Sequence, residues 1–210
     1  MSDRTKPTVR RKRADGELSR ERILDAAAEI AMQRGYEGTS IGAVSAACGL
    51  PASSIYWHFK NKDDLLAAVI ERSFGEWLAA WELPDVGTPR ERAETVATHI
   101  AKALLDSPVF IRLGLMLALE RRPEEPRARA MFLDVRAEAY RVLNTGIREL
   151  SPELTDVQAR ELATYALAGA DGLFIAKEIG GDSVDLISLF ELHARAITDA
   201  AARMIAEERQ

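Results

Sequence analysis

Cysteine is almost missing from this chain. Cys48 stands alone, so an intrachain disulfide framework is impossible and a reducing compartment suits the sequence. Histidine is nearly as scarce: His58, His99 and His193 are far apart, with no His-Glu-x-x-His spacing and no cysteine cluster beside them, which excludes a zinc site of the usual ligand pattern. No apolar run approaches the roughly 20 residues needed to cross a bilayer. The basic N-terminus is not followed by a signal-peptide apolar core, so the cytoplasm is the expected location and no membrane contact is expected. No stretch keeps strand alternation, no repeat is visible, and no glycine-rich phosphate loop follows a strand. Glu124-Glu125 and Glu207-Glu208 read as solvated helix ends rather than paired catalytic carboxylates. These absences predict an all-α protein with no metal, no cofactor and no enzymatic centre.

What is present begins with an uneven charge. The 210 residues carry a formal net charge of -5, which alone argues against a polyanionic partner. Residues 1–62 nevertheless hold 11 Lys or Arg against 7 Asp or Glu, a net +4, while the remainder holds 17 against 26, a net -9. The positive charge is densest in Arg4, Lys6, Arg10, Arg11, Lys12 and Arg13. Such asymmetry marks either a nucleic-acid-binding arm or a solubilising tail. Without an apolar pattern, residues 1–16 are expected to be disordered when free.

The segment directly downstream favours the arm. Ile41, Val44 and Ala47 recur at helical spacing, Cys48-Gly49-Leu50 interrupts the pattern, and Pro51 suits the first position of a new helix. Gly49 supplies the left-handed conformation such a turn needs. In the second short helix Ile55 and Phe59 share one face, leaving Ala52, Ser53, Tyr56 and Trp57 pointing elsewhere. This is the layout of a DNA-reading helix-turn-helix. A preceding helix is expected from Ser19, as cap, to about Arg34, with Ile23, Ala26, Ala27, Ile30 and Ala31 inward and Gly35 ending it. Thr39 or Ser40 caps the helix that follows. Asn61 caps a fourth helix, with Asp64 placed as in a capping box and Asp63 favouring the positive helix end.

About fifty consecutive positions resemble the TetR (tetracycline-repressor-like) family of bacterial transcription regulators: Arg22-Ile23-Leu24-Asp25-Ala26-Ala27, Gly35-Tyr36-Glu37, Thr39, Gly49-Leu50, Ile55-Tyr56-Trp57-His58-Phe59, Lys60-Asn61-Lys62 and Leu65-Leu66. Pro51, Ala52 and Ser53 depart from the common pattern where the helix first meets the groove, so no operator sequence can be borrowed from a relative. The resemblance implies a three-helix helix-turn-helix head over residues 17–62, behind a basic arm over 1–16, and a helical effector-binding and dimerisation domain over 63–210. It implies phosphate contacts by Thr39, Tyr56, His58 and Lys62, with Ser53, Ser54 and Trp57 nearer the bases. Ser40, Pro51, Ala52, Lys60 and Arg10, Arg11, Lys12 and Arg13 complete the expected DNA-contacting set. Lys62 opposes the dipole of its own helix, which fits a phosphate role.

Beyond residue 62 the helices are expected at about 62–82, 89–106, 108–120, 124–150, 155–180 and 184–208. Leu83-Pro84-Asp85-Val86-Gly87, Pro108, Pro123 with Pro126, Ser151-Pro152 and Gly180-Gly181 separate them, and Thr88 with Pro89 opens one. Ala168, Gly172 and Ala176, four apart with Gly169 beside them, form a strip for close helix approach. The last helix carries a wide apolar stripe: Leu186, Leu189, Phe190, His193, Ala194, Ile197, Ala201, Met204 and Ile205. A monomer could bury both, but the family dimerises through its last two helices, so Ala168, Gly172, Ala176, Phe190, His193, Ile197 and Ala201 are the expected homodimer interface. By the same resemblance Trp77, Trp81, His99, Phe110, Leu113, Met116, Leu117, Met131, Tyr140, Tyr165 and Phe174 are candidates to line an effector cavity, although such residues are individually more often plain core. His99 and Asp171 each read as either ligand-orienting or core polar groups, and Asp171 also as a cross-dimer partner. Cys48 reads as a small apolar residue or a redox sensor. The function these features point to is a dimeric repressor that binds a palindromic DNA operator and is released by a small, mostly apolar effector. The alternatives are an activator of the same fold and a small-molecule-binding helical protein without specific DNA binding.

Overall fold

The computed structural model describes residues 7–120 and 126–208, and among them there is no strand. Among the described residues nine α-helices follow one another: α1 (Pro7–Gly38), α2 (Ile41–Cys48), α3 (Ala52–His58), α4 (Lys62–Leu78), α5 (Pro89–Asp106), α6 (Val109–Leu119), α7 (Arg127–Leu150), α8 (Asp156–Gly180) and α9 (Leu186–Glu208), with one 3-10 turn at Gly181–Ser183 before the last. They form two compact units. One holds the residues up to Ser73 together with Val109–Leu133, the other Phe74–Pro108 with the residues from Asp134 onward, so α4 and α7 contribute to both.

In the first unit α1 packs on α2, α3 and α6. Its inner face is the expected one: Ile23, Leu24, Ala26, Ala27, Ile30 and Ala31 are all buried. Val44, Ile55, Phe59, Leu65, Leu66, Val69 and Ile70, from the segments that follow, are also buried and complete the apolar cluster of this unit. A fully buried aliphatic side chain of this size stabilises by about 1.5–3 kcal/mol over its exposed state, so this cluster is the main support of the head. The start of α1 differs from expectation. The helix begins at Pro7 and continues through residues expected to be a disordered arm, and the Ser19 hydroxyl donates to the Asp15 carbonyl within it instead of capping it. From Arg10 to Leu18 no residue is β-branched, which allows a helix even where no apolar face calls for one. Residues 1–6 and the side chains of Arg10, Arg11, Lys12 and Arg13 lie outside the described parts. Gly35 interrupts the helix as expected, with a left-handed φ of 69° that a β-carbon would strain.

Past this kink, Tyr36 is buried and its hydroxyl donates to Asp63 Oδ1 at 2.8 Å. The same carboxylate accepts the backbone N–H groups of Arg127 at 2.5 Å and Ala128 at 3.1 Å, so a residue of the first turn of α4 caps the start of α7. Arg127 also pairs with Asp64 at 2.5 Å. Asp63→Ala is expected to lower the unfolding free energy by about 2–3 kcal/mol, since it removes a helix cap and the hydrogen bond it accepts from the Tyr36 hydroxyl. Urea denaturation measures this, and an unchanged midpoint would mean the three bonds carry no weight.

The second unit is built on α5 against α9 and α8 against α9. Helices α5 and α9 run antiparallel, as the polar pairs along their seam show: Arg90 to Asp199 at 3.5 Å, Glu94 to Arg195 at 3.9 Å, and the Thr98 hydroxyl donating to Glu191 at 3.0 Å. Helix starts follow the expected punctuation. Thr88 with Glu91 and Thr155 with Gln158 form reciprocal capping boxes, and Asp185 accepts the Ser188 N–H to cap α9. Ile147, Leu154, Ala159, Leu162, Ala163 and Ala201 make the core at one end, with Tyr140 and Leu143 packed on it. Helix α4 ends at Leu78 rather than near 82. Ala80 and Trp81 bond three residues back, to Trp77 and Leu78, so the helix tightens into a 3-10-type turn before the break at Pro84. Helix α7 starts at Arg127, three residues later than expected, with Pro126 outside it.

Candidate nucleic-acid interface

The sequence places an outward face on α3, and the structure builds it from the turn upward. Ser40 is the cap of α2: its hydroxyl oxygen accepts the Ala43 N–H at 3.2 Å. Thr39 is turned inward instead, 1% exposed, and its hydroxyl donates to the Gly35 carbonyl at 2.8 Å. This corrects the expectation of a phosphate contact through the Thr39 side chain, which is spent on closing the Gly35 kink. Gly49 adopts the left-handed conformation at φ 66° and ψ 22°, and its N–H bonds the Ser45 carbonyl. Pro51, expected to be the first helical residue of α3, has an extended ψ of 150° and is its N-cap, with no side-chain capping bond.

Within α3 only Ile55 is buried, and Phe59 behind it is buried too. Their inward packing leaves Ser53, Tyr56 and Trp57 on the open side, with the Trp57 side chain 77% exposed. Pro51 and Lys60 are also exposed, and Ala52, Ser54 and His58 are half-buried. Trp57 stands edge-on to the His58 ring at 4.6 Å between centroids and lies over Gly16 of α1. A cleft of about 400 Å³ runs beside it, lined by Asp15, Gly16, Ser19, Ser53, Ser54, Trp57 and His58. The open face therefore offers two hydroxyls, a phenol, an indole and an imidazole, all able to hydrogen-bond and three able to stack. Arg20, on the α1 side, places its guanidinium 5.6 Å from the Phe59 ring centroid.

Burial first, and the Arg20 charge second, hold the His58 imidazole below its ordinary pKa of 6.5, so it is neutral near pH 7. Below pH 6.5 the unfolded chain binds the proton more readily than the folded one, so this residue's contribution falls as pH drops from about 7 toward its folded value and is flat below that. His58→Gln should show a smaller loss of stability than the parent between about pH 7.5 and 5.5, read from urea midpoints. Equal losses in both chains would rule this out.

Lys62 opposes the α4 dipole, and the structure gives an internal reason for it. Its ammonium donates to the Tyr36 carbonyl at 3.1 Å and to Glu37 at 3.4 Å, and lies 4.5 Å from the Tyr36 ring centroid. Asn61 caps α4 through the Asp64 N–H, while the Asp64 carboxylate accepts from Lys60 rather than completing a reciprocal box. Cys48 is buried in the turn, as a small apolar residue would be.

The residues expected around an effector cavity divide between the two units. Phe110, Leu113 and Leu117 are buried in the first, where Met131 is half-buried and Met116 is 51% exposed. In the second, Trp77 and Phe174 are buried, and Trp77 meets the half-buried Trp81 edge-on at 4.8 Å. Tyr140 is half-buried, its hydroxyl donating to the Arg160 carbonyl at 3.4 Å. Two members are exposed. His99 is exposed because α5 buries Ala97, Ile100, Ala101 and Leu104 instead, and Tyr165 is 62% exposed on α8. Asp171 pairs with Arg136 of α7 at 2.5 Å; burial raises the pKa of the carboxyl and lowers that of the guanidinium, while the pairing opposes both shifts.

The expected dimer residues also divide. Ala168 and Gly172 are exposed, Ala176, His193 and Ile197 are half-buried, but Phe190 and Ala201 are buried inside the protomer. The wide stripe of α9 serves α5 and α8, and that consumes both. His193 Nε2 lies 2.9 Å from the Ala166 carbonyl, and its ring fills the space where a side chain on Gly169 would stand. Exposed large apolar groups on the same two helices are Val157, Tyr165, Ile175 and Ile179 on α8 and Leu192 on α9. Among the described residues no group of side chains could hold a metal ion, and no helix is long and apolar enough to cross a membrane.

Residues 23–69 match the family described as bacterial regulatory proteins, tetR family. A helix-turn-helix-type transcriptional repressor of Mycobacterium tuberculosis is 32% identical over 114 residues, which is 54% of this chain and 44% of that protein. The chain thus spans less than half the length of that relative. Among solved structures, a tetR-family transcriptional regulator from Streptomyces coelicolor superposes with a TM-score of 0.72 at 16% identity, covering 91% of this chain and 83% of that one. The fatty acid degradation regulator FadR from Bacillus halodurans does so at 0.71 and 16% identity, covering 85% and 93%.

Proposed function

From the premise that this chain belongs to the tetR family of bacterial regulatory proteins, we propose that it is a dimeric transcriptional repressor that binds a palindromic operator and lets go when a small, mostly apolar effector binds. The observation that carries the reading is the open face of α3, where Ser53, Tyr56 and Trp57 are exposed while Ile55 and Phe59 hold the helix from behind. An α-helix fits the major groove, and hydroxyl and indole groups at its surface can reach base edges. Tyr56 and His58 would bond phosphates at the rim. Lys62 would exchange the exposed Glu37 for a phosphate, a cheap exchange because surface ion pairs contribute little. Arg10, Arg11, Lys12 and Arg13 would follow the backbone or enter the minor groove.

Two copies would join through α8 and α9. Tyr165, Ala168, Gly172, Ile175 and Ile179 recur at alternating spacings of three and four, the repeat of a helix-helix seam, and all are exposed. Such a dimer could set two α3 helices about 34–36 Å apart, one turn of DNA, and so read two half-sites. The buried Trp77 and Phe174 suit an apolar effector, and a regulator of fatty acid degradation shares the fold. An effector can shift DNA affinity only by its difference in affinity between the two states, typically about 1–3 kcal/mol.

Selection of bound sequences from random DNA tests the reading. A palindromic sequence should be enriched by the full chain and enriched less when residues 10–13 are deleted. No enrichment at all would leave a helical small-molecule-binding protein. Thermal shift against fatty acids and small aromatic compounds addresses the effector.

A further inference from the structure

Helix α3 has little of its own to fix its direction. It is seven residues long, its N-cap Pro51 makes no side-chain bond, and two turns of helix do not hold themselves in water. Its inclination therefore depends on what grips its ends. At the leading end Arg22 Nη2 donates to the Cys48 carbonyl at 2.7 Å, across 26 residues of sequence. That carbonyl belongs to the last residue of α2, where unpaired carbonyls and the negative end of the helix favour a cation. Two positions on, the Ser45 hydroxyl donates to the Leu50 carbonyl at 2.7 Å. With Gly49 in its left-handed conformation between them, the whole turn is tied down. At the trailing end the Arg20 guanidinium lies over the ring of the buried Phe59, a cation-aromatic contact.

Basic residues just ahead of a helix-turn-helix invite the reading that they neutralise phosphates. We infer that Arg20 and Arg22 are instead positioning residues, gripping α3 at its two ends and setting the inclination that decides which bases its open face meets. The inference rests on the proposed DNA-binding role and assigns a source of sequence discrimination within it. The two roles differ in a measurable way. A phosphate contact contributes about 0.9 to the slope of log affinity against log salt and acts on every sequence alike, whereas a positioning residue leaves the slope alone and acts on the preferred sequence.

The test uses the full chain with the duplex it enriches from random DNA and a random-sequence duplex of equal length, each titrated over a range of salt. Arg22→Gln and Arg20→Gln should each weaken binding to the enriched duplex by roughly tenfold and to the random duplex by less than about twofold, with unchanged salt slopes. Ser45→Ala, which removes the hydroxyl bond to Leu50 without changing any charge, should cause the same selective loss. A slope reduced by about one for the arginine variants, equal weakening on both duplexes, or undiminished discrimination in Ser45→Ala would each overturn the inference. If the wild-type chain enriches no sequence, the DNA-binding reading fails and this inference fails with it; if it enriches one and the variants discriminate as well as the parent, only the inference fails.

Discussion

Ile175→Asp combined with Ile179→Asp is expected to give a folded monomer whose binding to the enriched palindromic duplex is at least about a hundredfold weaker than that of the parent. Ile179 is 83% exposed and Ile175 41% exposed in the protomer, so neither change opens a core. In a two-fold dimer each residue appears twice, and burying an isoleucine contributes about 1.5–3 kcal/mol, so four of them account for a large part of an association energy. Aspartates in their place would bring four carboxylates into an apolar seam, where burying unpaired charge is costly. The affinity falls because two linked heads bind cooperatively: the second half-site is reached at an effective concentration that a monomer lacks. Sedimentation velocity at micromolar protein reads the mass, and fluorescence anisotropy with labelled duplex reads the affinity. A dimer that persists in the double variant would move the interface away from this face of α8.

Gly114→Ala is expected to lose about 2–3 kcal/mol of stability, although alanine is the better helix former by about 1 kcal/mol. The reason is that the Phe132 ring of α7 lies against Gly114 of α6. A β-carbon built on Gly114 would stand 1.9 Å from Phe132 Cδ2 and 2.1 Å from Cε2, and Phe132 is buried, so its ring has nowhere simple to go. Phe132→Leu alone should also destabilise, through the space it leaves. Joined with Gly114→Ala it should be less harmful than the two costs added, because the new methyl fills part of that space. A cycle of urea denaturations on the four chains measures this coupling. Strict additivity would show that the helices separate easily and that the contact is not tight in solution.

Which parts of this molecule could be read from the sequence depends on how far apart the interacting residues are. Thr88 with Glu91 and Thr155 with Gln158 act within one turn, so their spacing alone announces the helix starts. The inner face of α1 and the α2-turn-α3 layout are legible for the same reason, since period and punctuation are local. Arg22 reaching Cys48 and Asp63 capping α7 are not, because nothing near either residue in sequence marks its partner. Thr39 shows a different limit. A threonine beside a glycine kink can cap a helix, face solvent or turn back on the preceding carbonyl, and only the φ of Gly35 decides. The stripe on α9 is visible as a stripe, yet periodicity reports that a face is apolar and not which neighbour covers it. Phe190 and Ala201 accordingly belong to the interior, while Tyr165, an aromatic residue expected near a cavity, is exposed on α8 with Ile175 and Ile179.

Because Ile55 is the only buried residue of α3, its exposed positions Ser53, Tyr56 and Trp57 contribute little to holding the chain together. Surface substitutions typically change stability by no more than about 0.5 kcal/mol either way. The segment therefore behaves as a replaceable insert. Ser53, Ser54, Tyr56 and Trp57 could be randomised together and most of the resulting chains should still fold. New preferences could then arise in a lineage, or in a library, without a compensating change elsewhere in the protein.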